Sequence, residues 1–223
     1  MRNVLVVSLL FAAIPLFAQE APPSPCQYAY WPVASGTQWE YRLETRTTDP
    51  ILKERKWSQI EVEKIASVGP DGFIVERTYQ SSEIGNGKST KAFSCTPAGL
   101  VLDSETSNGT VLRYRGIQLP ASPSRGATFD HAVVLDPTQS IPIAHRVIGL
   151  EEVTVPAGTF NALRVDYRTV MDAGPDVRIE GNGSKWFAEG RGLVRATFHK
   201  VTTVSGKAEN VLDSTSELVS FKP

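Results

Sequence analysis

Cysteine, histidine and methionine are all scarce in this 223-residue chain, with two, three and two copies, and that scarcity narrows the chemistry before any fold is considered. His131, His145 and His199 stand at spacings that fit neither HExxH nor HxH, so no sequence-local pair of imidazoles is offered to a metal. A Gly-x-Ser-x-Gly elbow is missing, and the serines beside glycines have no nearby His and acid to activate them. Glu151 and Glu152 are adjacent, which in a strand points them to opposite faces and rules out an acid/base pair, while Glu61 and Glu63 share a face and read as a solvated stripe. Gly181-Asn182-Gly183-Ser184 lacks the Lys-Ser/Thr pair and following helix of a phosphate cradle and reads as a hairpin turn. No block of like charge occurs and the formal net charge is −1, which argues against nucleic acid or an anionic membrane surface as partner. No catalytic residue, metal ligand or cofactor is therefore expected, and the chain reads as a non-enzymatic protein.

Long apolar runs are equally absent after the first residues. Arg2 precedes an apolar stretch from Val4 to Phe17, about fourteen residues, which suits a signal peptide and falls short of the roughly twenty a membrane span needs. Residues 1–18 are thus expected to be a leader cleaved near Ala18, delivering a periplasmic or secreted protein with no transmembrane segment in the mature chain. Residues 19–35, with Ala21-Pro22-Pro23-Ser24-Pro25, read as an extended tether, and residues 36–223 as one antiparallel β domain. Cys26 lies several residues past the apolar run, not where lipidation requires a Cys. Two cysteines in an oxidising compartment predict a Cys26–Cys95 disulfide that pins the tether, since neither has a CxxC partner or neighbouring His for metal or nucleophilic work.

What the chain has in plenty is strand grammar. Segments rich in Val, Ile, Thr, Tyr, Phe and Trp alternate with Gly, Pro, Asn and Asp punctuation, predicting strands at 38–47, 57–68, 73–84, 90–95, 100–105, 111–115, 131–135, 145–155, 160–171, 177–187, 193–204 and 210–221. Leu163, Val165, Tyr167, Thr169 and Met171 point one way, and Arg164, Asp166 and Arg168 the other. Ile60 and Val62 alternating with Glu61 and Glu63, then Phe73 and Val75 with Glu76, repeat the pattern. One-sided strands of this kind belong to antiparallel meanders. Gly69-Pro70-Asp71-Gly72, Gly85-Asn86-Gly87 and Pro156-Ala157-Gly158 read as hairpin turns, and Leu119 to Thr128 as a longer loop across the sheet. The fold class that follows is all-β: a single curved antiparallel sheet, half-barrel or open barrel, with little helix beyond the leader.

The strings Val153-Thr154-Val155-Pro156-Ala157-Gly158-Thr159-Phe160 and Lys185-Trp186-Phe187-Ala188-Glu189-Gly190-Arg191-Gly192-Leu193-Val194, with Tyr30-Trp31-Pro32-Val33 upstream, resemble a broad group of secreted bacterial proteins and lipoproteins of unknown function. That group is similar to the lipoprotein-carrier superfamily, whose half-barrels hold acyl chains. The resemblance implies a concave apolar face, for which Tyr167, Trp186 and Phe198 are the candidate lining residues, and a lipid-like or other hydrophobic small molecule as ligand. The alternative is an envelope scaffold that docks a protein partner and fills its own interior.

Overall fold

The computed structural model describes residues 26–51, 53–81, 83 and 85–223. The leader expected over residues 1–18, and residues 19–25 of the tether, lie outside them.

Thirteen strands follow in order: β1 (Gln38–Asp49), β2 (Lys53–Val68), β3 (Gly72–Ser81), β4 (Gly87–Thr96), β5 (Gly99–Ser107), β6 (Thr110–Gly116), β7 (Leu119–Pro120), β8 (Thr128–Val134), β9 (Ser140–Val155), β10 (Gly158–Asp172), β11 (Val177–Ala188), β12 (Gly192–Val204) and β13 (Lys207–Lys222). Every segment expected to be a strand overlaps one of them. Each strand pairs antiparallel with its successor, except that β6 passes its neighbour role to β8 while the two-residue β7 adds onto β5. The sheet does not stop at the termini of the domain. β1 pairs with β13 from Gln38↔Lys222 to Thr48↔Val211, and the meander closes into a twelve-strand barrel. The antiparallel all-β sheet expected from the sequence is thus present, but as a closed barrel rather than a half-barrel. Closure gives the outer strands partners for their ladder groups and removes the edges an open sheet would expose.

Alternation divides each strand between lumen and outer wall. In β10, Leu163 and Val165 are buried, with Tyr167 on their face, and Arg164, Asp166 and Arg168 turn outward, as the sequence pattern has it. In β2 the faces are reversed from the naive expectation. Gln59 and Glu63 are buried, and Ile60 is 37% exposed. Period-2 alternation says which residues share a face; it does not say which face turns inward, and here the inward face is the one whose Glu63 finds a lysine inside the barrel. The outer wall carries charged pairs along its strands, including Arg42 with Glu44 and Glu217, Arg164 with Asp166, and Arg178 with Glu180. An arginine on a lipid-facing wall would cost roughly 2–4 kcal/mol at mid-bilayer depth, so this wall is built for water. Among the described residues no helix is long and apolar enough to cross a membrane.

One end of the barrel holds the apolar core, with Ile65, Val75, Leu100, Val147, Val165, Val194 and Leu218 almost fully buried. Burying side chains of this size contributes about 1.5–3 kcal/mol each. Residues 26–37 close that end. Cys26 is disulfide-bonded to Cys95 at a Cα–Cα separation of 5.1 Å, as expected. The Tyr28 hydroxyl donates to the Thr96 carbonyl at 2.9 Å, the Gly190 amide donates to the Ala29 carbonyl at 2.8 Å, and Trp31 packs its ring 5.8–6.2 Å from those of Phe93, Trp39 and Phe187. The tether's described part is therefore a plug across the barrel mouth.

The three short turns expected between strands all occur, with Gly158 at φ 132° in the Pro156-Ala157-Gly158 corner. Gly181-Asn182-Gly183-Ser184 is a correction: it lies inside β11 and makes no turn. A Cβ on Gly181 would sit 2.8 Å from the Phe198 ring, and one on Gly183 would sit 2.7 Å from the Tyr167 hydroxyl. These glycines let aromatic side chains of β10 and β12 lie flat over β11.

Candidate binding site in the barrel lumen

Above the apolar end, the lumen contains a partly enclosed cavity of about 310 Å³. Its apolar wall is Trp31 from the plug, Phe93, Leu100, Leu102 and Leu119 from β4, β5 and β7, and Phe187 and Leu193 from β11 and β12. Its polar wall is a belt of charges that the strands carry on the same face as their apolar residues. Arg77 shares the face of Phe73 and Val75, Lys91 that of Phe93 and Cys95, and Lys185 that of Phe187.

Most of the belt is paired. Lys91 Nζ meets Glu63 Oε1 at 2.5 Å, with the two side chains only 18% and 10% exposed. Burial works to raise the Glu63 carboxyl, but Lys91, and behind it Arg77, outweigh burial and hold it below the ordinary range. Arg77 donates to Glu105 at 2.6 Å and to the Ser89 hydroxyl at 3.0 Å, and Ser89 in turn donates to Glu105 at 3.2 Å. The Tyr114 hydroxyl lies 3.5 Å from the same carboxylate, and burial together with Glu105 pushes its phenol up to about 12. Glu61 accepts from Gln59 at 2.5 Å. Such buried pairs fix geometry more than they stabilise, because desolvating both ions offsets much of their attraction.

Behind His131 and Lys185, which line the cavity, the lumen continues into an aromatic and basic cluster. His145 stacks on Phe129 with centroids 4.7 Å apart, lies 5.9 Å from Tyr167, and shares a hydrogen bond of 2.8 Å with His131. Burial, with Lys185 adding to it, lowers His131 to about 4 and His145 to about 3, so near neutral pH both rings are uncharged and one donates to the other. Lys185 Nζ stands 5.3 Å over the Tyr167 ring. Burial and then repulsion from Lys91 lower its ammonium to about 8. No group of three or more His, Cys, Asp or Glu among the described residues is placed to hold a metal.

The three lining residues expected from the sequence separate. Tyr167 and Phe198 come together on the inner face, their rings stacked at 6.1 Å, and the Tyr167 hydroxyl donates to the Thr197 carbonyl at 2.9 Å. Trp186 turns to the face opposite Lys185 and Phe187, where Arg164 and Arg195 each lie 5.5 Å over its ring and its indole N–H donates to Glu151 at 2.5 Å. It belongs to a cation–π ladder on the outer wall.

Two of the three histidines meet in a way their spacing does not announce, while the third keeps the solvated strand face expected of it. Fourteen residues apart in sequence, His131 and His145 are brought into contact because β8 and β9 are paired strands; His199, on the outer wall, meets Asp213 at 2.7 Å as a surface pair. Sequence spacing alone conceals cross-strand neighbours. The charged belt did leave a signal: Arg77, Lys91 and Lys185 share parity with large apolar residues, which a solvated stripe would not do.

Residues 136–209, from just before β9 into the start of β13, match a family model described as DUF3108-like. The hairpins bearing the Val-Pro-Ala-Gly-Thr-Phe and Trp-Phe-Ala strings fall within this span. Among solved structures, the chain is similar to a Bacteroides fragilis protein described as exported with a YmcC-like fold, at 18% identity and TM-score 0.48, covering 88% of this chain and 100% of that one. It is also similar to a Parabacteroides distasonis protein described as a lipoprotein, at 18% identity and TM-score 0.43, covering 87% and 99%. No curated protein matches the chain.

Proposed function

We propose that this chain is an exported, non-enzymatic binding barrel of the bacterial envelope or exterior, whose lumen takes a lipid-like or other hydrophobic small molecule. The observation that carries this reading is the cavity of about 310 Å³, continuous with the apolar end of the barrel and walled by Trp31, Phe93, Leu102 and Phe187. That volume lies at the lower end of the roughly 300–1,000 Å³ typical of small-molecule sites. An apolar wall facing a belt of polar groups is the arrangement such sites use, the first for affinity and the second for orientation. Export is supported by the leader pattern of residues 1–18 and by the disulfide. The absence of an activated nucleophile or metal-ligand pattern from the sequence motivates the non-enzymatic reading.

Native mass spectrometry of the protein purified from envelope material tests the proposal. A co-purifying small molecule that is lost when Leu102→Trp fills the cavity supports it. A barrel that always arrives empty, together with a protein partner recovered reproducibly by crosslinking in cells, favours the docking scaffold instead.

A further inference from the structure

Resting on the luminal reading above, we infer that Lys185 is the anchor for an anionic head on the ligand, so that the barrel selects a carboxylate-headed amphiphile over a neutral or cationic one. The inference starts from an imbalance inside the cavity. Glu63 is engaged by Lys91, and Glu105 by Arg77, Ser89 and Tyr114. Glu61, facing in from β2, accepts from Gln59. Every carboxylate lining the cavity therefore already holds a donor. Two donors on its wall do not find an acceptor: Lys185 has no carboxylate within 4 Å among the described residues, and the buried indole N–H of Trp31 has no hydrogen-bond partner.

An unpaired ammonium inside a protein is costly, and the neighbours of Lys185 make the cost larger. Lys91 repels it, and the nearby histidine pair can offer no negative charge. Tyr167 supplies a ring face, which attracts a cation weakly but accepts no strong hydrogen bond. A carboxylate placed beside Nζ would answer both the charge and the donor, with its tail against Phe187, Leu193 and Leu102 on the apolar wall. A hydroxyl head would satisfy only the hydrogen bond, and an ammonium head would add to the repulsion.

Calorimetric titration of the purified chain, disulfide intact, with octanoate, octanol and octylamine separates these cases. Octanoate is expected to bind about tenfold or more tightly than octanol, the scale of one charge-assisted hydrogen bond, and octylamine more weakly than either. Lys185→Met is expected to bring octanoate and octanol to equal affinity, while Lys185→Arg keeps the octanoate preference. Equal binding of the three probes by the wild-type chain, or a preference for octylamine, overturns the anchor and leaves the luminal reading standing. An octanoate preference that survives Lys185→Met also overturns it. Failure of all three probes to bind overturns both readings. The wild-type comparison does not depend on any variant folding.

Discussion

The imidazoles of His131 and His145 share a 2.8 Å hydrogen bond inside the barrel, with Phe129 stacked on the far side of His145. That contact makes the fold sensitive to acid. Burial, then Lys185, depresses His131 to about 4 and His145 to about 3, whereas in the unfolded chain both return to about 6.5. The unfolded state thus binds protons first as pH falls. The stability of the pair is complete above pH ~6.5 and drains between there and the folded-state values, each histidine adding up to ~1.4 kcal/mol per pH unit to the slope. Urea unfolding measured from pH 7 to 4.5 is expected to show this decline, and His145→Phe to flatten it by about one histidine's share; an unchanged slope would mean the rings are not held neutral.

Removing one half of the Glu63–Lys91 pair should be costly. Lys91→Met leaves a buried carboxylate facing an apolar side chain, and an expected loss of about 3–5 kcal/mol follows from stranding that charge. Adding Glu63→Gln to the same chain is expected to restore most of the loss, because no ion then remains unpaired at that point. Denaturant titration of the two variants checks this, and a double variant as weak as the single one would count against the pairing.

The Cys26–Cys95 bridge closes a loop of 69 residues in sequence. In the chain-entropy account, replacing both cysteines by Ser removes about 4 kcal/mol or less of stability. A local effect is expected as well. Trp31 is seated on Trp39, Phe93 and Phe187 by a plug that the bridge fastens, so its fluorescence should become more quenchable by acrylamide in the double variant, below the unfolding midpoint.

Gly183 is expected to resist substitution although it lies mid-strand. A side chain there collides with the Thr197 carbonyl and the Tyr167 hydroxyl, so Gly183→Ala should lower stability by about 1–3 kcal/mol and disturb the Tyr167–Phe198 stack. Thermal unfolding with near-ultraviolet circular dichroism reads both effects. Wild-type values would count against the close approach of Tyr167 and the Thr197 carbonyl to Gly183.

Much of the architecture was legible in the residues. Alternation from Leu163 to Arg168 placed that strand's faces correctly, and Gly-Pro-Asp-Gly and Pro-Ala-Gly marked real turns, because these signals are local: they depend on a side chain's parity or a residue's own backbone freedom. The disulfide was legible from cysteine number and compartment. The candidate site was largely hidden. Tyr167, Trp186 and Phe198 were all expected on one lining face; the structure stacks Tyr167 on Phe198 inside and sets Trp186, one position from Lys185, under Arg164 and Arg195 on the outer wall.

The sequence by itself determined that strands would alternate, where most of them would turn, and that two cysteines would be joined. Only the tertiary structure decided which face of β2 looks inward, that β1 and β13 meet and seal the barrel, and that His131, His145 and Lys185 share one lumen. The reason is physical: parity and turn chemistry act within a few residues, while closure brings together side chains such as Tyr41 and Leu218 that are nearly the whole chain apart, and no local pattern encodes which of them will meet.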